Sequence, residues 1–155
     1  EGELRPQLLD RFGLSVDVTT PEDLPTRMEV VRRRDAFERD PAAFIDKYKR
    51  KDAKIRRQLG HASERIDGVD VPDAALKRAA ELCMALGTDG LRGELTVVRA
   101  ARAVAALAGD EAVTDEHLRQ VAPMALRHRL RRNPLDDAGS STRVERAMSE
   151  VFASS

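Results

Sequence analysis

The chain has 155 residues, equal numbers of basic and acidic side chains (27 each, formal net charge zero) and only 3% aromatic residues. That length can bury one modest core, and few aromatics beside abundant Ala, Leu and Arg favour helices over sheets. One cysteine excludes an intramolecular disulfide framework, no stretch approaches the roughly 18 apolar residues of a membrane span, and no signal-peptide pattern opens the chain, so a soluble compartment such as the bacterial cytoplasm is expected.

The charge is unevenly spread: residues 1–26 carry −4, residues 27–66 carry +6 and residues 67–155 carry −2. In the acidic opening, EGELRPQLLDRFGL is a short amphipathic segment closed by Arg11. Leu14, Val16 and Val18 then alternate with Ser15 and Asp17, the period-two pattern of a strand. A lone strand is not stable, and no other segment reads as one, so residues 1–20 are expected to be a helix-plus-strand edge of an α/β core encoded upstream. Thr20 and Pro21 stop the pattern. Asp23 and Pro25 supply a cap and a first-turn proline for a helix through about Glu38, and Asp40-Pro41 punctuates again.

From Pro41 to Ile66 the apolar stripe is narrow: Phe44, Tyr48, Ile55, Leu59, Ala62 and Ile66 share one helical face, and lysines and arginines cover the others. Residues 21–66 therefore read as a solvated helical connector. A basic run of this kind can neutralise phosphates. Asp46, Asp52 and Glu64 are interleaved with the cations, however, and no aromatic platform accompanies them, so nucleic acid is not expected and a bridging or subunit contact fits better.

Residues 67–155 read as a helical bundle. Ala75, Leu76, Ala79, Leu82, Cys83 and Leu86 repeat at helical spacing, with Cys83 a buried small hydrophobe. Leu91, Leu95, Val98, Ala101 and Ala105 form the expected face of the next helix. Thr114 caps a third, with Asp115 and Glu116 in its first turn and Leu118, Val121, Ala122, Ala125, Leu126 and Leu130 buried. Pro123 should kink it. Arg127, Arg129, Arg131 and Arg132 complement its C-terminus. Asp136 and Asp137 read as loop, and the hydroxyls of Ser140, Ser141 and Thr142 as caps of a last helix from Val144 to Phe152. His61, His117 and His128 lack metal-ligand spacing to Cys83 or to one another, so no metal site is expected.

A second arginine cluster lies in GLRGELTVVRAARA, where Arg92 and Arg99 stand seven residues apart on one helix face with Arg102 beside them. Such a stripe can face phosphates or be a solvated charged surface. A cation at Arg92, near a helix N-terminus, opposes the helix dipole, so helix stability alone does not account for it.

Four stretches in order, GELRPQLLDRFGL (2–14), RMEVVRRRDAFERDPAAF (27–44), LGTDGLRGELTVVRAARA (86–103) and MALRHRLRRNPLDDAGSSTRV (124–144), resemble the C-terminal part of the magnesium-chelatase I-subunit family, AAA+ motors of chlorophyll and bacteriochlorophyll synthesis. The resemblance implies a mainly α chain: the helical lid bundle of an AAA+ ATPase, preceded by the connector and a remnant of the nucleotide-binding core. By motif, Arg11 matches the family's arginine finger and Arg92 its sensor-two arginine, with Arg99 a further candidate on the same helix. A guanidinium suits these tasks because it stays charged and presents a planar fork of donors matched to phosphate oxygens. By its local residues alone, Arg11 reads equally well as a surface arginine.

The same resemblance implies ATP with its own Mg²⁺ as cofactor, self-association into a ring, and assembly with a D subunit and a porphyrin-binding H subunit that receives Mg²⁺ into protoporphyrin IX. The sequence has no G-x-x-x-x-G-K-[ST] loop and no acidic strand for nucleotide Mg²⁺, so this polypeptide alone is expected not to hydrolyse ATP. Two other readings stand beside this one: a helical module binding a partner protein through residues 27–66, and the lid of a related helix-2-insert AAA+ protein of the helicase type.

Overall fold

The computed structural model describes residues 6–9, 11–88, 90–130 and 139–153. Its elements are α1 (Pro6–Leu9), α2 (Leu24–Arg39), α3 (Pro41–Arg65), α4 (Asp73–Leu86), α5 (Arg92–Ala108), α6 (Asp115–Leu126) and α7 (Ser140–Ala153), with 3₁₀ turns at Ile66–Gly68 and Arg127–Arg129. The mainly helical expectation is met. Described residues up to Val16 join those from Ala62 onward in one compact unit, and Asp17–His61 form a second.

In the second unit, Asp23 caps α2 by accepting a hydrogen bond from the Thr26 amide at 2.8 Å, and Pro25 sits in the first turn. Hydrogen bonds from Thr26, through its side chain and then its backbone, hold the Asp23 carboxyl below the usual carboxylate range. No residue of α2 is buried; its outer face is laced by Arg33–Glu29 (2.7 Å), Arg34–Glu38 (2.6 Å) and Arg39–Asp35 (3.0 Å) pairs four residues apart. Phe44 meets Phe37 edge-on (5.7 Å between centroids) and Tyr48 at 4.7 Å. Of the stripe read on α3, only Ala62 is buried, and Ile55 and Leu59 are exposed.

The first unit is a bundle in which α5 packs on α6, and α4 packs on α5 and α7. Leu82, Val97, Leu118, Val121, Leu126 and Val144 are its largest fully buried aliphatic side chains, with Cys83 among them. Gly87 ends α4 in the left-handed conformation (φ 63°), which costs glycine nothing, and Thr88 N closes the cap on the Cys83 carbonyl at 3.1 Å. Asp70 bridges the turn before α4 to the one after α5, donating to the Glu111 carbonyl (2.8 Å) and accepting from Val113 N (2.9 Å). Thr114 caps α6 as expected, and His117 completes the cap by accepting from Thr114 N through Nδ1 at 3.1 Å while its Nε2 lies 3.0 Å from Asp110.

Four expectations are corrected. Residues 14–18 form no strand: among the described residues no neighbouring strand exists to pair with them, and Val16 and Val18 are exposed. On α5 the buried face is Gly93, Val97, Ala101, Ala105 and Ala106, so Leu91 and Leu95 point to solvent. Ala101 and Ala105, both expected on this face, are joined there by Gly93 and Val97 at four-residue spacing. Leu76 is likewise exposed on α4. Finally, α7 begins at Ser140, so the three hydroxyl residues form its first turn, and Arg143 N donates to the Gly139 carbonyl. Helix α6 continues through Pro123 and tightens into the 3₁₀ turn after Leu126. Asp136, Asp137, Arg131 and Arg132 lie outside the described residues.

Candidate functional site

Arg11 stands two residues past the end of α1 in a tight turn, with Arg11 N on the Leu8 carbonyl and Phe12 N on the Leu9 carbonyl, each at 3.0 Å. Its side chain is exposed. The segment from Phe12 to Ser15 is held against the end of α6. The Phe12 carbonyl accepts from Arg129 Nη2 at 2.8 Å and lies 2.9 Å from His128 Nε2; Ser15 N donates to the Met124 carbonyl at 2.8 Å, and Arg127 Nη2 donates to the Ser15 carbonyl at 2.7 Å. A Cβ on Gly13 would lie 4.0 Å from the Thr96 methyl, in ordinary contact.

Arg92 is the first residue of α5, exposed, and its carbonyl accepts from Thr96 Oγ1 at 2.7 Å. That hydroxyl in turn accepts from Arg129 Nη2 at 3.3 Å. A continuous run of hydrogen bonds thus joins the turn after Arg11 to the helix that Arg92 opens, with Arg129 at its centre. The structure brings these two sequence-distant motifs together. Arg99 stands two turns along the exposed face from Arg92, whereas Arg102 is half-buried with its Nε lacking a hydrogen-bond partner.

Beneath this surface, Cys83 is enclosed, and burial pushes its thiol up to about 11, with the nearby Glu94 charge adding to the rise and the Thr88 hydrogen bond and Arg129 opposing it. A thiol so held is a packing group rather than a nucleophile. Among the described residues no group of three or more His, Cys, Asp or Glu side chains could hold a metal ion. The exposed guanidinium groups of Arg11, Arg92 and Arg99 fit the anionic oxygens of a phosphate; nothing beside them among the described residues fits nucleotide Mg²⁺.

Sequence reading assigned Arg127 and Arg129 to the helix C-terminus and His128 to no task. Arg129 Nε does bind the Ala125 carbonyl at 2.9 Å, but all three also reach Phe12 or Ser15. Three consecutive side chains with N–H groups on a terminal turn were the available signal; their partners lie far away in the chain, where no local pattern points.

The family model described as AAA lid domain matches residues 76–148, which contain most of α4 to α7. The chain is 63% identical over 99% of its length to the magnesium-chelatase 38 kDa subunit of Acidiphilium rubrum, covering 44% of that protein. It is 41% identical over 98% of its length to the magnesium-chelatase subunit ChlI, chloroplastic, of Oryza sativa subsp. indica, covering 37%. An uncharacterised protein of Mycobacterium tuberculosis is 48% identical over 90% of the chain, which covers 22% of it. The chain spans less than half the length of these relatives.

Proposed function

We propose that this chain, whose sequence matches the C-terminal part of the magnesium-chelatase I subunits over nearly its whole length, is the lid and arginine-bearing edge of their ATP-hydrolysing motor. In this reading Arg11 is the arginine finger, reaching the γ-phosphate of a nucleotide on a neighbouring subunit of a ring, and Arg92 is the sensor-two arginine; Arg99 assists on the same face. When bound, ATP with its Mg²⁺ supplies a γ-phosphoryl group for transfer to water, held mainly by residues outside this chain. The part of this chain is charge: fixed guanidinium groups stabilise the negative charge that spreads over the equatorial oxygens. The motor assembles with a D subunit and drives an H subunit that inserts Mg²⁺, here substrate rather than cofactor, into protoporphyrin IX.

The observation that carries the reading is the convergence of the Arg11 turn and the start of α5, two separate family motifs, on one run of hydrogen bonds. The test joins this chain to a family P-loop core and assays ATP hydrolysis. Arg11→Ala should lower turnover by about 10³-fold or more with nucleotide binding largely retained, and Arg92→Ala should lower it as well. Near-normal turnover in both sinks the assignment, and the chain without a P-loop should hydrolyse no ATP.

A second reading, a module that binds a partner through α2 and α3, is favoured by one observation: α2 buries nothing, and Met28, Val30, Val31, Phe37, Ile45 and Ile55 are all exposed. The two readings are compatible if the partner is another subunit of the motor.

A further inference from the structure

We propose that Arg129 is a positioning residue that sets Arg11 relative to Arg92, an inference that rests on the reading of those two arginines as finger and sensor. Its guanidinium touches three elements at once: Nε binds the Ala125 carbonyl in α6 (2.9 Å), and Nη2 binds both the Phe12 carbonyl (2.8 Å) and the Thr96 hydroxyl in α5 (3.3 Å). Phe12 adjoins Arg11 in the chain, and Thr96 is hydrogen-bonded to the backbone of Arg92 itself (2.7 Å).

Arg129 therefore lies one bond from the finger's turn and two from the sensor's backbone. Arg127 and His128 pin the same segment, at Ser15 and Phe12, and so share the work of holding it on α6, while the contact to Thr96 belongs to Arg129. The planar fork matters here, since a lysine at this position offers one point of donation and cannot span three acceptors on separate elements. Arg129 also has no need to reach the nucleotide. A catalytic group displaced by about 1 Å can cost about 10²-fold in rate, so a residue that only fixes another's place has a measurable kinetic signature.

The experiment uses the chain joined to its P-loop core and measures kcat and KM for ATP in Arg129→Ala, Arg129→Lys, Arg11→Ala and the Arg11→Ala/Arg129→Ala double variant. The expected result is a kcat lowered about 10- to 100-fold in Arg129→Ala with KM changed little, no full recovery in Arg129→Lys, and less than about twofold further loss when Arg129→Ala is added to Arg11→Ala. Thr96→Val, nearly isosteric, removes the hydroxyl that links Arg129 to the Arg92 carbonyl while leaving the bonds of Arg129 to Phe12 and Ala125 in place, and it should show the same pattern at smaller size, so it carries the test if Arg129→Ala does not fold. Wild-type turnover in Arg129→Ala, or losses that multiply in full in the double variant, overturns the positioning role while leaving the finger in place. Wild-type turnover in Arg11→Ala instead removes the finger reading, and this inference with it.

Discussion

Gly93 in α5 faces Cys83 in α4 so closely that a Cβ placed on it would lie 3.2 Å from the thiol sulfur, and equally near the Thr88 hydroxyl. The contact lies directly beneath the turn that presents Arg92. In an open helix, alanine for glycine gains about 1 kcal/mol. Here the added methyl requires the Cys83 sulfur and the Thr88 hydroxyl to give by a few tenths of an ångström within a closely packed seam, and overpacking of this kind costs roughly 1–3 kcal/mol. Gly93→Ala should therefore destabilise the bundle in urea titration, and Cys83→Ala in the same chain should recover part of the loss. Gly60, with nothing within 4 Å of its would-be Cβ, is the control: Gly60→Ala should be neutral or stabilising.

The raised Cys83 thiol makes a second expectation with a defined sign. Its pKa is about 11 in the fold against 9.0 for an unperturbed thiol, so between these values the folded chain holds a proton that the unfolded chain has lost. Stability from this group is complete below about pH 9 and falls as pH rises toward 11, by up to about 2–3 kcal/mol. Melting temperatures of native and Cys83→Ala chains should thus converge with rising pH. A constant difference from about pH 8 to 11 would contradict the burial argument.

Arg78 joins three helices from a side chain only 19% exposed. It donates to the Val151 carbonyl in α7 at 2.8 Å, and lies 3.4 Å from Glu81 in α4 and 3.8 Å from Asp115 in α6. Exposed ion pairs contribute little, but a charge-assisted bond to a half-buried carbonyl is worth about 1.5–3 kcal/mol. Arg78→Ala should cost about 2 kcal/mol and loosen α7 first. Amide exchange that rises at α7 but not at α5 would match this; uniform exchange would not.

The helices were legible because their caps and apolar spacing are local: Asp23, Thr114 and the Ala79–Leu82–Cys83–Leu86 series all act within a turn or two. On α5 the sequence pattern picks out Ala101 and Ala105 correctly but puts Leu91 and Leu95 on the buried face in place of Gly93 and Val97, because leucines outweigh a glycine in a count of hydrophobicity while close packing selects for the small side chain. The alternation at residues 14–18 was real in the sequence, but a strand is a property of two segments, and Ser15 instead meets Met124 and Arg127. Arg11 and Arg92 are candidates by resemblance. Arg129, their link, was hidden because its role exists only once segments more than a hundred residues apart have folded together.

The connector yields the last expectation, which tests α2 as a docking surface. Pairs such as Arg33–Glu29 and Arg34–Glu38 are exposed on both sides and screened by solvent, so stability does not require them. Replacing Arg32, Arg33 and Arg34 together by Glu should leave the melting of the bundle from Ala62 onward within about 2 °C, because α2 contributes no buried residue. If the basic face of α2 is a docking surface, the same variant should lose complex formation with the motor's D subunit while ATP hydrolysis by the chain joined to its P-loop core stays intact. Retained complex formation would exclude α2 as the contact. DNA affinity that falls steeply with salt in the native chain and vanishes in the variant would instead move the reading toward a helicase-type motor.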